Sequence, residues 1–228
     1  MQISMFDGSQ RFKITKPIRL LEIFGGYGSQ SLALKYLGVP FEHHFLSEWA
    51  IPSIQAYKDI HFSDDNTDYS EGIADEEIIS FLEGRVSRDY SNPLTREQVI
   101  RLGEKQRRTI FNNMKASRNI GSVCLAKGSD LNITETDKYC YILAYSFPCQ
   151  DLSSAGLGKG MARDSSKFEN DRNYRIRKLT PKECFRLMGV KDEDYENCAK
   201  NQSNASLYHL AGDSIIVNVL MAIFSEML

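Results

Sequence analysis

Cys149 is the residue in this chain best placed for covalent chemistry. It follows Ser146-Phe147-Pro148 and precedes Gln150, directly after the apolar run Tyr139-Cys140-Tyr141-Ile142-Leu143-Ala144-Tyr145. A run of that kind is expected of a parallel strand buried on both faces, and ligands gather outside the carboxyl ends of such strands. Pro148 fixes its own φ and drives Phe147 to an extended conformation, so the thiol is expected on a rigid turn. A cysteine held this way is a candidate nucleophile, and the plainer alternative is a small core residue finishing a strand.

A second group of candidates lies near the N-terminus. Phe24-Gly25-Gly26-Tyr27-Gly28 follows the apolar segment Ile18 to Phe24. Missing β-carbons and free backbone N–H groups at such a turn let a nucleotide-like ligand approach closely. Glu48 ends the next apolar segment, where an acid can accept from both hydroxyls of a ribose, and Trp49 offers a face for an adenine.

The elements that must position these residues follow from periodicity. Strands are expected at Ile18 to Phe24, at Val39 to Ser47 and at Tyr139 to Tyr145. Helices are expected from Ser29 to Leu37 and then through Ile51, Ile54 and Tyr57, with Pro52 tolerated in the first turn. This β-α-β-α order predicts a doubly wound, Rossmann-like parallel α/β sheet. Its central strand is Ile18 to Phe24, flanked by the other two. Residues 59–122 read as a largely helical insertion, with a capping box at Thr95-Arg96-Glu97-Gln98 opening one helix. Its basic stretch, including Gln106-Arg107-Arg108, is expected to be a solvated helix face. The sheet is expected to resume near Val123 to Ala126 and turn at Gly128 to Leu131. Residues 162–178 are almost wholly polar. Thr180-Pro181-Lys182-Glu183 is a second capping box, with proline at the first helical position. A last helix, Ser214 to Met227, is expected to bury Ile216, Val219, Leu220, Ile223, Phe224 and Met227 on one face.

The 228 residues are 42% hydrophobic and 25% charged, with a net charge of −2, so any nucleic-acid contact needs a local basic patch. Five cysteines in no metal-ligand spacing argue against a disulfide framework and for a reducing cytoplasm, and no metal site is expected. The N-terminal residues lack a signal-peptide core, and no apolar run is expected to span a bilayer.

Taken in order, these segments resemble the DNA cytosine-5 methyltransferases. Leu20 to Leu34 is similar to that family's S-adenosylmethionine glycine motif, Ser47-Glu48-Trp49 to its ribose and adenine motif, and Gly128 with Asp130-Leu131 to its adenine-edge motif. Ser146 to Gln150 is similar to the Pro-Cys-Gln nucleophile motif. Arg177 to Cys184 with Leu187-Met188-Gly189, and Ala211-Gly212-Asp213-Ser214 with Ile215-Ile216-Val217, are similar to the last two motifs. The resemblance implies a methyl transfer from S-adenosylmethionine to C5 of a cytosine flipped out of double-stranded DNA, through a Cys149 adduct supported by Pro148. It implies a cofactor site at Phe24, Gly26, Gly28, Glu48, Trp49, Asp130, Leu131, Asp213 and Ser214.

The chain departs from the family between Cys149 and Leu179, where only 29 residues intervene. That is too short for the family's Glu-Asn-Val motif, its Gln-Arg-Arg type motif and a target-recognition region. Glu169-Asn170 supplies the first letters without a preceding apolar strand. The expected organisation is therefore a cofactor and nucleophile half over 1–161, a polar junction over 162–178 and C-terminal motifs over 179–228. The strand Tyr139 to Tyr145 should lie at a sheet edge. Cofactor binding without turnover in isolation is expected. A non-catalytic S-adenosylmethionine-binding module, or half of a split enzyme completed by a second chain, are the alternatives.

Overall fold

The computed structural model describes residues 14–145 and 179–228. Cys149, Pro148 and Glu169-Asn170 lie outside the described residues. Three parallel strands form the sheet: β1 (Ile18–Ile23), β2 (Phe41–Ser47) and β3 (Cys140–Tyr145), in the order β2-β1-β3. This is the expected parallel α/β arrangement, with β1 central. β1 pairs with β3 in unbroken register from Ile18 opposite Cys140 to Ile23 opposite Tyr145. Its pairing with β2 shifts between Leu20 and Leu21, so His44 is skipped. Among the described residues β3 pairs on one side only, and Leu143 and Tyr145 are exposed.

The crossover helix α1 (Ser29–Tyr36) follows the glycine turn, and α2 (Ile51–His61) follows β2 with Pro52 in its first turn. The insertion is helical, comprising α3 (Asp75–Leu82), α4 (Arg96–Ile100) and α5 (Glu104–Ala116). The Thr95 capping box is present, but it opens only the short α4. Gly103, at φ +77°, breaks the pattern and starts α5 afresh. The sheet does not resume at Val123 to Ala126, where a 3-10 turn spans Val123–Leu125. The extended contact with β2 comes earlier: Leu46 bridges Asn119 in parallel, and Ile120 N–H donates to the Leu46 carbonyl at 3.0 Å.

Four helices close the chain: α6 (Pro181–Leu187), α7 (Asp192–Ala199), α8 (Asn204–Gly212) and α9 (Val217–Met227). The Thr180 capping box is present. On α9 the buried face is Val217, Leu220 and Phe224, while Ile216, Val219 and Ile223 are exposed. The expected stripe is thus rotated towards Val217. Contrary to expectation, Asn204–Met227 is long and apolar enough by composition to cross a bilayer, with mean hydropathy 1.6. It is two helices rather than one, and Leu207, Leu210, Val217, Leu220 and Phe224 lie in the core.

Two hydrophobic clusters result. The first joins β1, α1, α2, α6, α8 and α9 through residues such as Leu20, Leu32, Ile60, Phe185 and Leu210. The second is helical, built on Ile54, Ile78, Leu82, Val99, Phe111 and Met114.

Candidate functional site

The glycine turn is formed by backbone conformations that side chains resist. Gly26 and Gly28 take φ +56° and +83°, and even Phe24 sits at +56°. A β-carbon on Gly28 would overlap His61 Nε2 and crowd the Tyr57 ring, so glycine is required there for packing as well as for φ. His61 Nε2 donates to the Tyr27 carbonyl at 3.0 Å, which pins the turn from below. Burial, then the neighbouring His43, push the His61 imidazole down to about 3, so this support is neutral at physiological pH.

A buried hydrogen-bonded chain stiffens the same corner. Ser31 Oγ and Tyr57 Oη both donate to Glu22 Oε2, at 2.6 and 2.5 Å, and His43 Nδ1 lies 2.9 Å from Tyr57 Oη. Glu22 is fully enclosed, and burial holds its carboxyl above the usual range against those donors.

Glu48 meets the turn directly. Its Oε2 accepts from Gly26 N–H at 2.9 Å, and its Oε1 accepts from Ala50 N–H at 2.8 Å. Burial pushes its carboxyl above the ordinary range. The Ala50, Gly26 and Trp49 N–H groups oppose that shift and the Asp213 carboxylate adds to it. The chain's other end reaches the same place, since a β-carbon on Gly26 would lie 3.3 Å from Ser214 Oγ. Phe24 is 37% exposed and Trp49 half-buried, so both rings retain open surface beside the turn. The structure therefore brings together Phe24, Gly26, Gly28, Glu48, Trp49, Asp213 and Ser214.

Asp130 and Leu131 make their contacts elsewhere. Asp130 Oδ2 accepts from Lys127 N–H at 2.8 Å, and the Leu131 carbonyl accepts from His44 Nε2 at 2.9 Å. The segment beside Glu48 is Asn119–Ser122. Asn119 Oδ1 accepts from Glu48 N–H at 3.0 Å, and its Nδ2 donates to the Glu48 carbonyl at 2.9 Å. Sequence reasoning missed Asn119, and it missed Tyr90 and His209, whose rings stack 4.1 Å apart. His209 Nδ1 lies 2.5 Å from Asp213 Oδ2, which ties this stack to the site. Only the βαβ pairing logic, which asks what lies beyond β2, could have pointed to Asn119.

The basic insertion is partly internal. Arg107 is buried, donating from Nε to Asp75 Oδ1 at 2.9 Å and from Nη1 to the Ile100 carbonyl at 2.8 Å. Arg108 pairs with Glu104 and donates to the Ser70 carbonyl. The expectation of a solvated arginine face is corrected for Arg107, because α5 packs on α3 along that side. Among the described residues no group of three or more histidines, cysteines or acids could hold a metal.

A family model described as C-5 cytosine-specific DNA methylase matches residues 163–228. The orphan methyltransferase M.SssI of Spiroplasma monobiae is 35% identical over 153 residues, covering 66% of this chain and 39% of its own length. The family-model match and these relatives, all named as methyltransferases, support the DNA cytosine-5 methyltransferase family for this chain. The type II methyltransferase M2.ScrFI of Lactococcus lactis is 31% identical over 158 residues, covering 62% of this chain and 43% of its own. The orphan methyltransferase M.SPRI of Bacillus phage SPR is 54% identical over 56 residues, 24% of this chain and 13% of its own. The chain thus spans less than half the length of these curated relatives.

Proposed function

We propose that this chain carries the cofactor cleft and the nucleophile of a DNA cytosine-5 methyltransferase, acting on a cytosine flipped from double-stranded DNA. The reading rests on one observation above the others: the Glu48 carboxylate closes on the Gly26 N–H while Ser214 faces the same glycine from the far end of the chain. The residues fit S-adenosylmethionine. Glu48 brings a carboxylate beside the turn for the ribose hydroxyls, each oxygen already accepting one backbone N–H, and Phe24 and Trp49 keep partly exposed rings for the adenine. Asp213 is the least favourable member, because a second carboxylate faces the amino-acid end, and Ser214 Oγ, which donates to the Leu210 carbonyl at 2.9 Å, offers its lone pairs there as an acceptor.

When bound, the cofactor supplies an electrophilic methyl group. Cys149 supplies the activation: its thiolate sulfur bonds to cytosine C6, which makes C5 nucleophilic towards that methyl. Loss of the C5 proton to a base and cleavage of the sulfur–C6 bond release methylated cytosine and the thiolate. Negative charge develops on the ring during addition, and groups at N3 and O2 must offset it. Each such contact is worth about 2.7–4 kcal/mol in the barrier. The 29 residues between Cys149 and Leu179 do not hold the family motifs that provide them. Segments 1–161 and 179–228 therefore bind cofactor around a polar junction, and no turnover is expected of the chain in isolation.

The test is calorimetry with S-adenosylmethionine, followed by trapping on a 5-fluorocytosine duplex. Cofactor binding is expected in the isolated chain. A covalent adduct is expected only after a fragment bearing the missing motifs is added, and Cys149→Ser should abolish it with cofactor affinity unchanged. Absence of cofactor binding, or an adduct that survives Cys149→Ser, overturns the reading.

A further inference from the structure

A second concave site adjoins the cleft just described. A cavity of about 520 Å³ opens where α3 ends, α5 ends and the turns after Asn119 begin. Phe81 and Met114 are among its apolar walls, and Arg85, Lys115, Arg118 and Lys127 bring four cationic side chains to it. Phe24, Gly26, Glu48 and Trp49 do not line it, whereas Asn119, which is bonded to Glu48, and Asp130 do.

The cations are unevenly satisfied. Arg118 is held by Glu42 Oε1 at 2.8 Å and also donates to the His43 carbonyl. Arg85 and Lys115 have no ion-pair partner among the described residues. Both crowd one ring: the Arg85 guanidinium carbon lies 5.2 Å and Lys115 Nζ 4.4 Å from the Phe81 centroid. Arg85 Nε is buried with no hydrogen-bond partner. Burial, and then the Arg85 charge, push the Lys115 ammonium below its ordinary range. Two like charges beside one aromatic ring repel each other, and the quadrupoles of Phe81 and of Phe111, whose centroid lies 5.1 Å from Lys115 Nζ, offset that only in part. The lining has one acid, Asp130, and one of its oxygens already accepts from Lys127 N–H.

We propose that this cavity binds a phosphoryl group, with Arg85, Lys115 and Lys127 as its ligands. A tetrahedral anion presents several oxygens, enough to reach cations arriving from three separate elements, and it neutralises the Arg85–Lys115 repulsion that the fold leaves in place. A carboxylate has only two oxygens to share among them. The cavity is also larger than a bare phosphate, so the group arrives as part of a larger molecule, either a small phosphorylated compound or the DNA backbone.

The two sources separate experimentally. The full chain is titrated with inorganic pyrophosphate, with adenosine 5′-monophosphate and with a short DNA duplex, all at matched ionic strength. The variants are Lys115→Ala and the Lys115→Ala/Lys127→Ala pair, which remove exposed side chains and leave the fold intact. For a small-molecule site, pyrophosphate or the nucleotide binds the parent and binds Lys115→Ala roughly ten-fold more weakly. For a backbone site, duplex affinity falls instead, and its salt slope drops by about one per lysine removed. Parent and double variant that behave alike towards all three probes overturn the proposal. Glu48→Ala is the control: it should weaken S-adenosylmethionine binding and leave pyrophosphate binding unchanged, so failure here is distinguishable from failure of the proposed methyltransferase reading.

Discussion

The two hydrophobic clusters of this molecule solve the problem of buried polarity in opposite ways. Around the sheet, the polar groups form a chain: Glu22 accepts from Ser31 and Tyr57, His43 continues it, and Glu48 is held by backbone N–H groups. In the helical insertion, the charged element is one ion pair, Arg107 with Asp75, beside local bonds such as Asn113 to Gln55. The sheet side spends its polar groups on shaping a turn whose glycines no other residue can replace. The insertion uses its pair to fasten α5 to α3, away from any cleft. If one donor is lost Glu22 still has the other, whereas the buried Arg107 guanidinium has a single carboxylate partner.

The largest effect should therefore come from the insertion. Asp75→Ala leaves the Arg107 guanidinium, 8% exposed, with only the Ile100 carbonyl as partner. Uncompensated buried charge of this kind costs about 3–5 kcal/mol. The lower end applies here, since Asp75 itself is partly solvated. Urea unfolding should show that loss, while S-adenosylmethionine affinity stays within about two-fold, a change of under half a kcal/mol. Trp49 fluorescence reports on the junction, because Ser87 N–H donates to the Trp49 carbonyl at 2.7 Å. If cofactor affinity collapses in parallel with stability, the two clusters are one cooperative unit and the comparison fails.

Next comes Glu48, on the sheet side. Glu48→Ala should weaken S-adenosylmethionine binding by about 1.5–3 kcal/mol, the range for hydrogen bonds to a charged group. A pH titration sharpens the point. The folded carboxyl is raised by burial, so the acceptor is lost on acidification at a pH above the ordinary glutamate range. Binding should be full well above that point and decline as pH falls through it. Glu48→Gln should show weaker binding without that pH dependence. Calorimetry showing the same acid limb in parent and Glu48→Gln would assign it to another group.

The sheet side was also the more legible. Apolar segments ending at Gly25, Glu48 and Ser146 marked the strands, although Glu42-His43-His44 interrupts β2. Strand β3, expected to be buried on both faces, has no fully buried residue and exposes Leu143 and Tyr145, because it pairs on one side only among the described residues. The helical pattern between them fixed the crossover. The insertion yielded its capping box, but the break at Gly103 depends on a positive φ that an isolated glycine does not announce. Helix α7 was invisible for a different reason. Its sequence Asp192–Ala199 buries little besides Cys198 and Asp194, and Asp194 is held by Lys35 at 2.7 Å and Tyr36 at 2.6 Å. Partners more than 150 residues away leave no local pattern. Asp130-Leu131 was chosen on letters alone, whereas the place beside Glu48 goes to the segment that β2 can pair with, and that segment begins at Asn119.

The smallest expected effect is the most direct comparison of the two regions, because each carries the same device. Thr95 accepts from Gln98 N–H at 3.4 Å and Thr180 from Glu183 N–H at 3.3 Å, with the reciprocal bond at 2.8 Å in both. Either threonine to alanine removes one cap, worth about 1 kcal/mol. The consequences should diverge. Helix α4 packs Val99 into the insertion's own core, so Thr95→Ala should lower stability and nothing else. Helix α6 buries Phe185, whose ring lies 5.3 Å from that of Tyr27 inside the glycine turn. Loosening α6 at its first turn loosens the floor of the cofactor cleft, and Thr180→Ala should weaken S-adenosylmethionine binding by up to about three-fold, well under 1 kcal/mol. Equal cofactor affinity in the two variants, at equal stability loss, would show that the Tyr27–Phe185 contact does not couple α6 to the turn.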